Sequence, residues 1–259
     1  MLKSRDMAKY SDEDLLWRHI RARFNRGIAR YGLIDDGDRI MVALSGGKDS
    51  LALLSLLAEK SRIFKPRFSV VAVHVVMSNV GYSSDLDYLR SFSESHGVPF
   101  FHVETSYEYS EQSDKPHCFL CSWNRRKALF EKAKEMGCNK IALGHHMDDI
   151  LETLLMNMLF SGSPSPMTPL LRMKKFDMTL IRPMCLIRER ELASLAEVRS
   201  FIGQKKKCPY ERATNRSRMK SLLAEMEHIN PEACYSLWRC VEKLLSGDSA
   251  GNDAEDGIF

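Results

Sequence analysis

From Asp36 onward the chain alternates short apolar runs with segments of helical periodicity, and this alternation leaves few folds open. Arg39 to Leu44 reads as a strand and is followed by a helix around Ser50 to Lys60; Phe68 to Val76 reads as the next strand, before a helix from about Ser84 to His96 and a short strand from Pro99 to Val103. After a loop containing Cys118 come a helix near Asn124 to Met136, the strand Lys140 to Leu143, a helix near Asp148 to Phe160, a strand around Met178 to Ile181 and a helix at about Arg188 to Phe201. Near-continuous Val, Ile, Ala and Leu in the strands implies that helices cover both faces of the sheet. The expected class is therefore α/β: an open, mainly parallel sheet flanked by helices, with N-terminal and C-terminal helical extensions.

Four segments are expected. Residues 1–35 form a basic helical extension in which Leu16, Ile20, Phe24 and Ile28 share one face and five arginines from Arg18 to Arg30 surround it. Residues 36–203 form the sheet domain, interrupted at 161–169 by a loop whose three prolines remove backbone donors and fix φ. Residues 204–245 carry a basic segment with a Cys-Pro pair and C-terminal helices, and residues 246–259 are an acidic tail expected to be disordered. That tail holds four of the acidic residues and no Lys or Arg, so the rest of the chain is more positive than the net +4. Lys205 to Lys220 alone holds seven basic residues against Glu211, a density that points to a polyanionic partner.

No apolar run approaches the roughly 20 residues of a bilayer-spanning helix, and the start of the chain lacks an apolar core behind its charges. The expectation is a cytoplasmic protein with no membrane association. In such a reducing compartment the 7 cysteines are thiols or metal ligands rather than structural disulfides.

The segment Ser45-Gly46-Gly47-Lys48-Asp49-Ser50 follows the first strand and opens a helix. An open parallel sheet puts its ligand site at such a junction. The glycines let backbone approach an anion, the N–H groups of the helix start bind phosphate, Lys48 adds charge, and Asp49 and Ser50 offer oxygen to Mg²⁺. A second segment, Leu143-Gly144-His145-His146-Met147-Asp148-Asp149, joins a later strand to a helix and should reach the same edge. There Gly144 can lie close to a nucleotide, His145 can donate to phosphate, and Asp148, Asp149 or Glu152 can serve Mg²⁺ or cap the helix.

Cys118-Phe119-Leu120-Cys121 is a thiol pair at metal-ligand spacing, and Cys208-Pro209 supplies a distant third thiol. Spacing alone favours a metal centre and leaves open buried thiols or a reversible dithiol, and zinc held by three thiolates and His117. Cys138, Cys185, Cys234 and Cys240 are expected to fill core space.

The first motif resembles the Ser-Gly-Gly-x-Asp-Ser signature of the PP-loop, or N-type, ATP pyrophosphatases. Their adenine nucleotide alpha hydrolase-like fold adenylates a carbonyl oxygen and releases pyrophosphate. The longer run Ile141 to Asn157 resembles the 2-thiocytidine synthetase group of that family, and the similarity extends from about Gly37 to Leu223. It implies an ATP-dependent tRNA sulfurtransferase that adenylates O2 of a pyrimidine, an anticodon-loop cytidine, inserts sulfur from a cluster and releases AMP. It also implies a 4Fe-4S cluster on Cys118, Cys121 and Cys208. Lys48, Asp49 and Asp149 then carry catalysis, with Asp49 on Mg²⁺. ATP would lie against Ser45, Gly46, Gly47, Lys48, Asp49, Ser50, His74, Val76, Gly144 and His145. Arg125, Arg126, Lys205, Lys206, Lys207, Arg212 and Arg216 would face tRNA. A sulfur donor such as a cysteine desulfurase is implied, and a homodimer is compatible with the sequence. Cys208-Pro209-Tyr210-Glu211 departs from a second Cys-x2-Cys and is similar to the 2-thiouridine enzymes, so 2-thiouridine synthesis stays open. A PP-loop ligase or amidotransferase also stays open, as does a non-catalytic iron-sulfur protein that binds RNA or senses redox state.

Overall fold

A computed structural model describes residues 12–79, 84–108, 116–173, 176–204 and 215–247. Cys208, Lys205, Lys206, Lys207 and Arg212, all expected site residues, lie outside them, as does the acidic tail beyond residue 247.

Six strands form one sheet: β1 (Arg39–Ala43), β2 (Ser69–Met77), β3 (Phe100–Thr105), β4 (Lys140–Ala142), β5 (Leu170–Met173) and β6 (Met178–Ile181). Their order is β3-β2-β1-β4-β6-β5, all parallel except β5, which pairs antiparallel with β6. The mainly parallel sheet agrees with the expectation. The antiparallel edge strand is additional: its residues are half-buried or exposed, so it lacks the continuous apolar run that marks the central strands.

The helices are α1 (Asp12–Tyr31), α2 (Lys48–Ser61), α3 (Leu86–Ser95), α4 (His117–Glu135), α5 (Met147–Ser161), α6 (Glu189–Val198), α7 (Asn215–Ile229) and α8 (Ala233–Gly247). Nine consecutive residues of α2, Ser50 to Ala58, are buried. A helix apolar all round has to be enclosed, and here the sheet lies on one side while α1 and α6 close the other through Ile20, Phe24, Ile28, Leu192 and Leu195. Each such Leu or Ile contributes roughly 1.5–3 kcal/mol on burial. The first strand-to-helix turn is thus anchored in the densest part of the core.

A second apolar cluster packs α5 against α7 and α8, with Ile150, Leu151 and Leu154 facing Met219, Leu223, Trp238 and Val241. Among the described residues no helix is long and apolar enough to cross a membrane.

Several arginines of α1 serve this packing. Arg21 pairs with Glu59 at 2.6 Å, Arg30 with Glu242 at 2.9 Å, and Arg23 donates to the Leu186 carbonyl and the Tyr235 hydroxyl. Cys138, Cys185 and Cys234 are buried as expected, whereas Cys240 is exposed on α8. It stands on the outer face of a helix whose Val241 points inward.

Candidate active site

The chain runs from β1 outward to β2 and later returns to place β4 on the other side of β1. Ligands of open α/β sheets bind beyond the carboxyl ends of the strands at such a switch. The register sets Val42 beside Ala142, so the chain leaving β1 and the chain leaving β4 emerge side by side. Both sequence motifs start there.

In the first motif Gly46 adopts φ +83°, a left-handed conformation that a side chain rarely tolerates. The loop closes on Ser50: Gly46 N–H donates to its Oγ at 3.1 Å, and that hydroxyl donates to the Gly47 carbonyl at 2.9 Å. The buried Ser50 hydroxyl therefore shapes the loop. Gly47 is the N-cap of α2 and supplies no side-chain cap, which leaves first-turn N–H groups available to an anion. The contrast with α5 is direct, since His146 caps that helix by accepting from Asp149 N–H while the Asp149 carboxylate accepts from His146 N–H. Lys48 Nζ lies 3.1 and 3.2 Å from the two Asp49 oxygens and 3.4 Å from Glu189. An uncapped helix start, a left-handed glycine and a lysine fit the triphosphate of ATP, with Asp49 an oxygen donor for Mg²⁺.

The structure brings the second motif onto the first. A Cβ at Gly144 would stand 3.2 Å from Ser50 N and 3.3 Å from Asp49 C, so a side chain there would press on the phosphate-loop backbone. The buried Nδ1 of His145, the next residue, has no hydrogen-bond partner among the described residues. Burial, with the Arg182 charge nearby, lowers its pKa to about 4, so the ring is neutral at pH 7.

His74 and Val76 sit toward the end of β2. His74 is buried with Nδ1 2.7 Å from the Leu44 carbonyl oxygen, beneath the phosphate loop, whereas Val76 is half exposed.

Asp149 has two partners: Oδ2 accepts from His146 N–H at 2.9 Å, and Oδ1 accepts from Arg216 at 2.7 Å. Glu152, buried, accepts from the same guanidinium at 2.9 Å. Burial pushes the Glu152 carboxyl up, while Arg216 works in the opposite direction. Asp148 is held by Arg188 at 2.9 Å and by Glu189 N–H at 2.7 Å, which makes it a brace between α5 and α6. Together His146, Asp149, Glu152, Glu189, Arg216 and Lys220 line a cavity of about 260 Å³. Arg216, which its basic surroundings suggested for a nucleic-acid face, thus points into the carboxylates beside the phosphate loop.

Glu189 and Lys220 belong to neither sequence motif, yet both reach the site. Lys220 Nζ lies 2.8 and 2.7 Å from the two Glu189 oxygens, so one carboxylate joins α7 to Lys48. A signal for Glu189 does exist in the chain: it opens the helix that follows β6, at the same carboxyl edge.

The thiol pair stands on α4 itself. The helix starts at His117 rather than near Asn124, so Cys118 and Cys121 occupy its first turns, one exposed and one half-buried. Pro116 at the N-cap suits this start because no N–H is needed there. Cys121 packs with Val75, Met77, Leu120 and Tyr107 at the ends of β2 and β3, again on the carboxyl edge of the sheet. Two thiols at i and i+3, at the positive end of a 19-residue helix with no acidic residue in its first turn, suit an anionic thiolate-bound cluster. Among the described residues no group of three or more His, Cys, Asp or Glu is arranged around a metal position. Arg125 and Arg126 follow on the same helix, both half-buried.

The family model for the PP-loop domain matches residues 18–220. The tRNA-cytidine(32) 2-sulfurtransferase of Geobacter sulfurreducens is 37% identical over 238 residues, 88% of this chain and 91% of that protein. That of Bordetella avium is 33% identical over 262 residues, covering 99% of this chain and 82% of its own. Among solved structures, the U34-tRNA thiolase NcsA from Methanococcus maripaludis with its [4Fe-4S] cluster superimposes with a TM-score of 0.76 at 27% identity, covering 90% of this chain and 80% of that one. With the two strand-end motifs meeting at the switch point, this chain belongs to the PP-loop domain family and is similar over most of its length to the tRNA-cytidine(32) 2-sulfurtransferases.

Proposed function

We propose that the chain is an ATP-dependent tRNA sulfurtransferase whose target is an anticodon-loop cytidine. One observation carries the reading furthest: Gly144 closes on the Asp49–Ser50 backbone at an uncapped helix start, on the sheet edge that also carries the Cys118–Cys121 pair. The base's C2 carbonyl oxygen attacks the α-phosphorus of ATP, the bond to the β-phosphate breaks, and pyrophosphate leaves. Gly46, Gly47 and the α2 start hold the departing phosphates, and Lys48 neutralises their charge. Asp49 holds Mg²⁺ on the same phosphates. Neutral His145 offers a ring nitrogen to the α-phosphate without carrying a charge into the site. Val76 borders the adenine, while His74 supports the loop from below.

Cys118, Cys121 and Cys208 would hold a 4Fe-4S cluster, which would supply the sulfide for C2. As the C2–O bond breaks, AMP departs with the former carbonyl oxygen, and Lys48 and His145 retain it until release. Arg125 and Arg126 beside the thiols, with Lys205, Lys206, Lys207 and Arg212 in the basic segment, attract the RNA backbone. Arg216 holds Asp149 and Glu152, and so acts on the catalytic carboxylate rather than on RNA. A partner of the cysteine desulfurase class delivers the sulfur as a persulfide, which a dithiol or other two-electron reductant releases as sulfide, and we place the reaction in the cytoplasm.

The test is an anaerobic incubation of iron-loaded protein with tRNA, ATP, Mg²⁺ and a sulfide source, followed by nucleoside mass spectrometry and nucleotide separation. The expected products are a 2-thiopyrimidine with AMP and pyrophosphate in equal amounts, reduced at least 100-fold in Lys48→Ala. ADP as the product, or thiolation that survives Lys48→Ala, defeats the reading.

A further inference from the structure

The fully buried side chains of helix α4, Ala128, Phe130 and Ala133, all lie in its second half, while its first half contributes the half-buried Leu120 and Cys121 to the small cluster around Met77 and Tyr107. Residues 117 to 126 include no buried side chain, and within this stretch Trp123 presents 49% of its surface to solvent. Leaving an indole this exposed forfeits much of the largest apolar gain any side chain offers. The other tryptophans are placed differently: Trp17 is half-buried and bonded to Glu59, and Trp238 is 5% exposed.

The surroundings of Trp123 are cationic. Lys127 Nζ lies 5.7 Å from the ring centroid and 3.8 Å from Glu131, the first acidic residue of the helix, in a solvent-exposed pair that a phosphate can displace, and Arg125 and Arg126 follow Trp123 along the helix. An isolated aromatic among cations differs from the contiguous apolar patch that another protein would cover. It matches the surface that binds single-stranded nucleic acid, where the ring stacks a base and the cations meet phosphates. Trp123 lies two residues beyond Cys121, on the flank of the helix. That places the ring within about one helix width, ~10 Å, of the thiols.

We propose that Trp123 is the stacking platform for an unpaired anticodon-loop base flanking the one that is thiolated, with Lys127 meeting an adjacent phosphate. This inference rests on the tRNA reading above. An anticodon loop displays several unpaired bases, and extruding one into a deep site costs stacking that a neighbour regains on the indole. The platform thereby holds the strand in register with the phosphate loop, taking no part in bond making. Trp123 is a positioning residue.

The experiment measures binding of a labelled anticodon stem-loop RNA to the iron-loaded protein by fluorescence anisotropy, alongside turnover at saturating RNA. Trp123→Ala is expected to weaken binding about 5- to 100-fold and to raise KM for tRNA with kcat within about threefold. Trp123→Phe should keep most of the affinity, and fully paired RNA of equal length should bind wild type and Trp123→Ala alike. Lys127→Ala should lower the salt slope of log Kd by about one. Circular dichroism and melting of each variant exclude a folding defect. Stem-loop affinity unchanged in Trp123→Ala, or a change of oligomeric state in its place, overturns the inference and leaves the tRNA reading standing. Wild-type protein that binds no stem-loop RNA at all removes both.

Discussion

His145 illustrates how a single side chain can be set by its surroundings for one protonation state. Its Nδ1 is buried without a partner among the described residues, and burial together with the Arg182 charge lowers its pKa from an ordinary 6.5 to about 4, against the opposing pull of Asp149. Below pH 6.5 the unfolded chain takes up a proton that the folded chain refuses. The stability this histidine permits is therefore complete above about 6.5 and is lost as pH falls from there toward 4. Between pH 7.5 and 5 the loss is about 2 kcal/mol. Replacing His145 by Gln should remove this component, so urea denaturation at the two pH values should show a smaller acid-side loss in the variant. Equal losses in both proteins would mean that the ring is protonated in the folded state. A neutral imidazole next to Gly144 can still donate an N–H to a phosphate.

At the scale of elements, α6 and α7 build as much of the site as the strand-end loops do. Glu189 opens α6, lies 3.4 Å from Lys48 and receives both contacts from Lys220 of α7. Burial alone would raise its pKa, but the Lys220 hydrogen bond and the Lys48 charge hold the carboxyl below its usual range. It stays ionised and keeps the phosphate-binding ammonium in place before ATP arrives. Glu189→Gln should raise KM for ATP about three- to fivefold with little change in kcat, in keeping with the modest worth of a partly exposed ion pair. Steady-state kinetics of AMP formation decide it: a fall in kcat at unchanged KM would make Glu189 a participant in the chemical step. These contacts also mark how far the sequence can be read. Local order is legible in Arg39–Leu44 and in the glycine-rich turn after it, because strand, turn and helix signals there all agree. Arg216 is recognisable as one of a basic cluster, but its pairing with Asp149, 67 residues away, is a product of tertiary packing. Likewise, Cys118 and Cys121 read as a loop because α4 has neither a side-chain cap nor an acidic residue in its first turn to announce its start. β5 escapes a sequence reading for a related reason, since an edge strand with no buried residue lacks a central strand's pattern.

Across the whole molecule, the two halves of the chemistry rest on different supports at one sheet edge. The phosphate loop grows out of β1 and the enclosed α2, within the core that includes Ile40, Val42, Leu51 and Leu54. The cysteine pair stands on the exposed start of α4, with Cys121 in the small cluster around Met77 and Tyr107 rather than in that core. Loss of iron should therefore leave the adenylation half intact, because nothing in the large core depends on the thiols. Protein stripped anaerobically of iron by a chelator should still release pyrophosphate when given ATP, Mg²⁺ and tRNA, while forming no thiolated nucleoside. Cys118→Ser should behave in the same way, and reconstitution with iron and sulfide should restore thiolation to the stripped wild type but not to the variant. Thermal melting of the stripped protein should stay within a few degrees of the loaded one, since the small cluster holds little of the buried apolar area. If the stripped protein melts normally but releases no pyrophosphate, the thiols and the phosphate loop form one indivisible site, and the division between adenylation and sulfur transfer drawn from their separate packing is wrong.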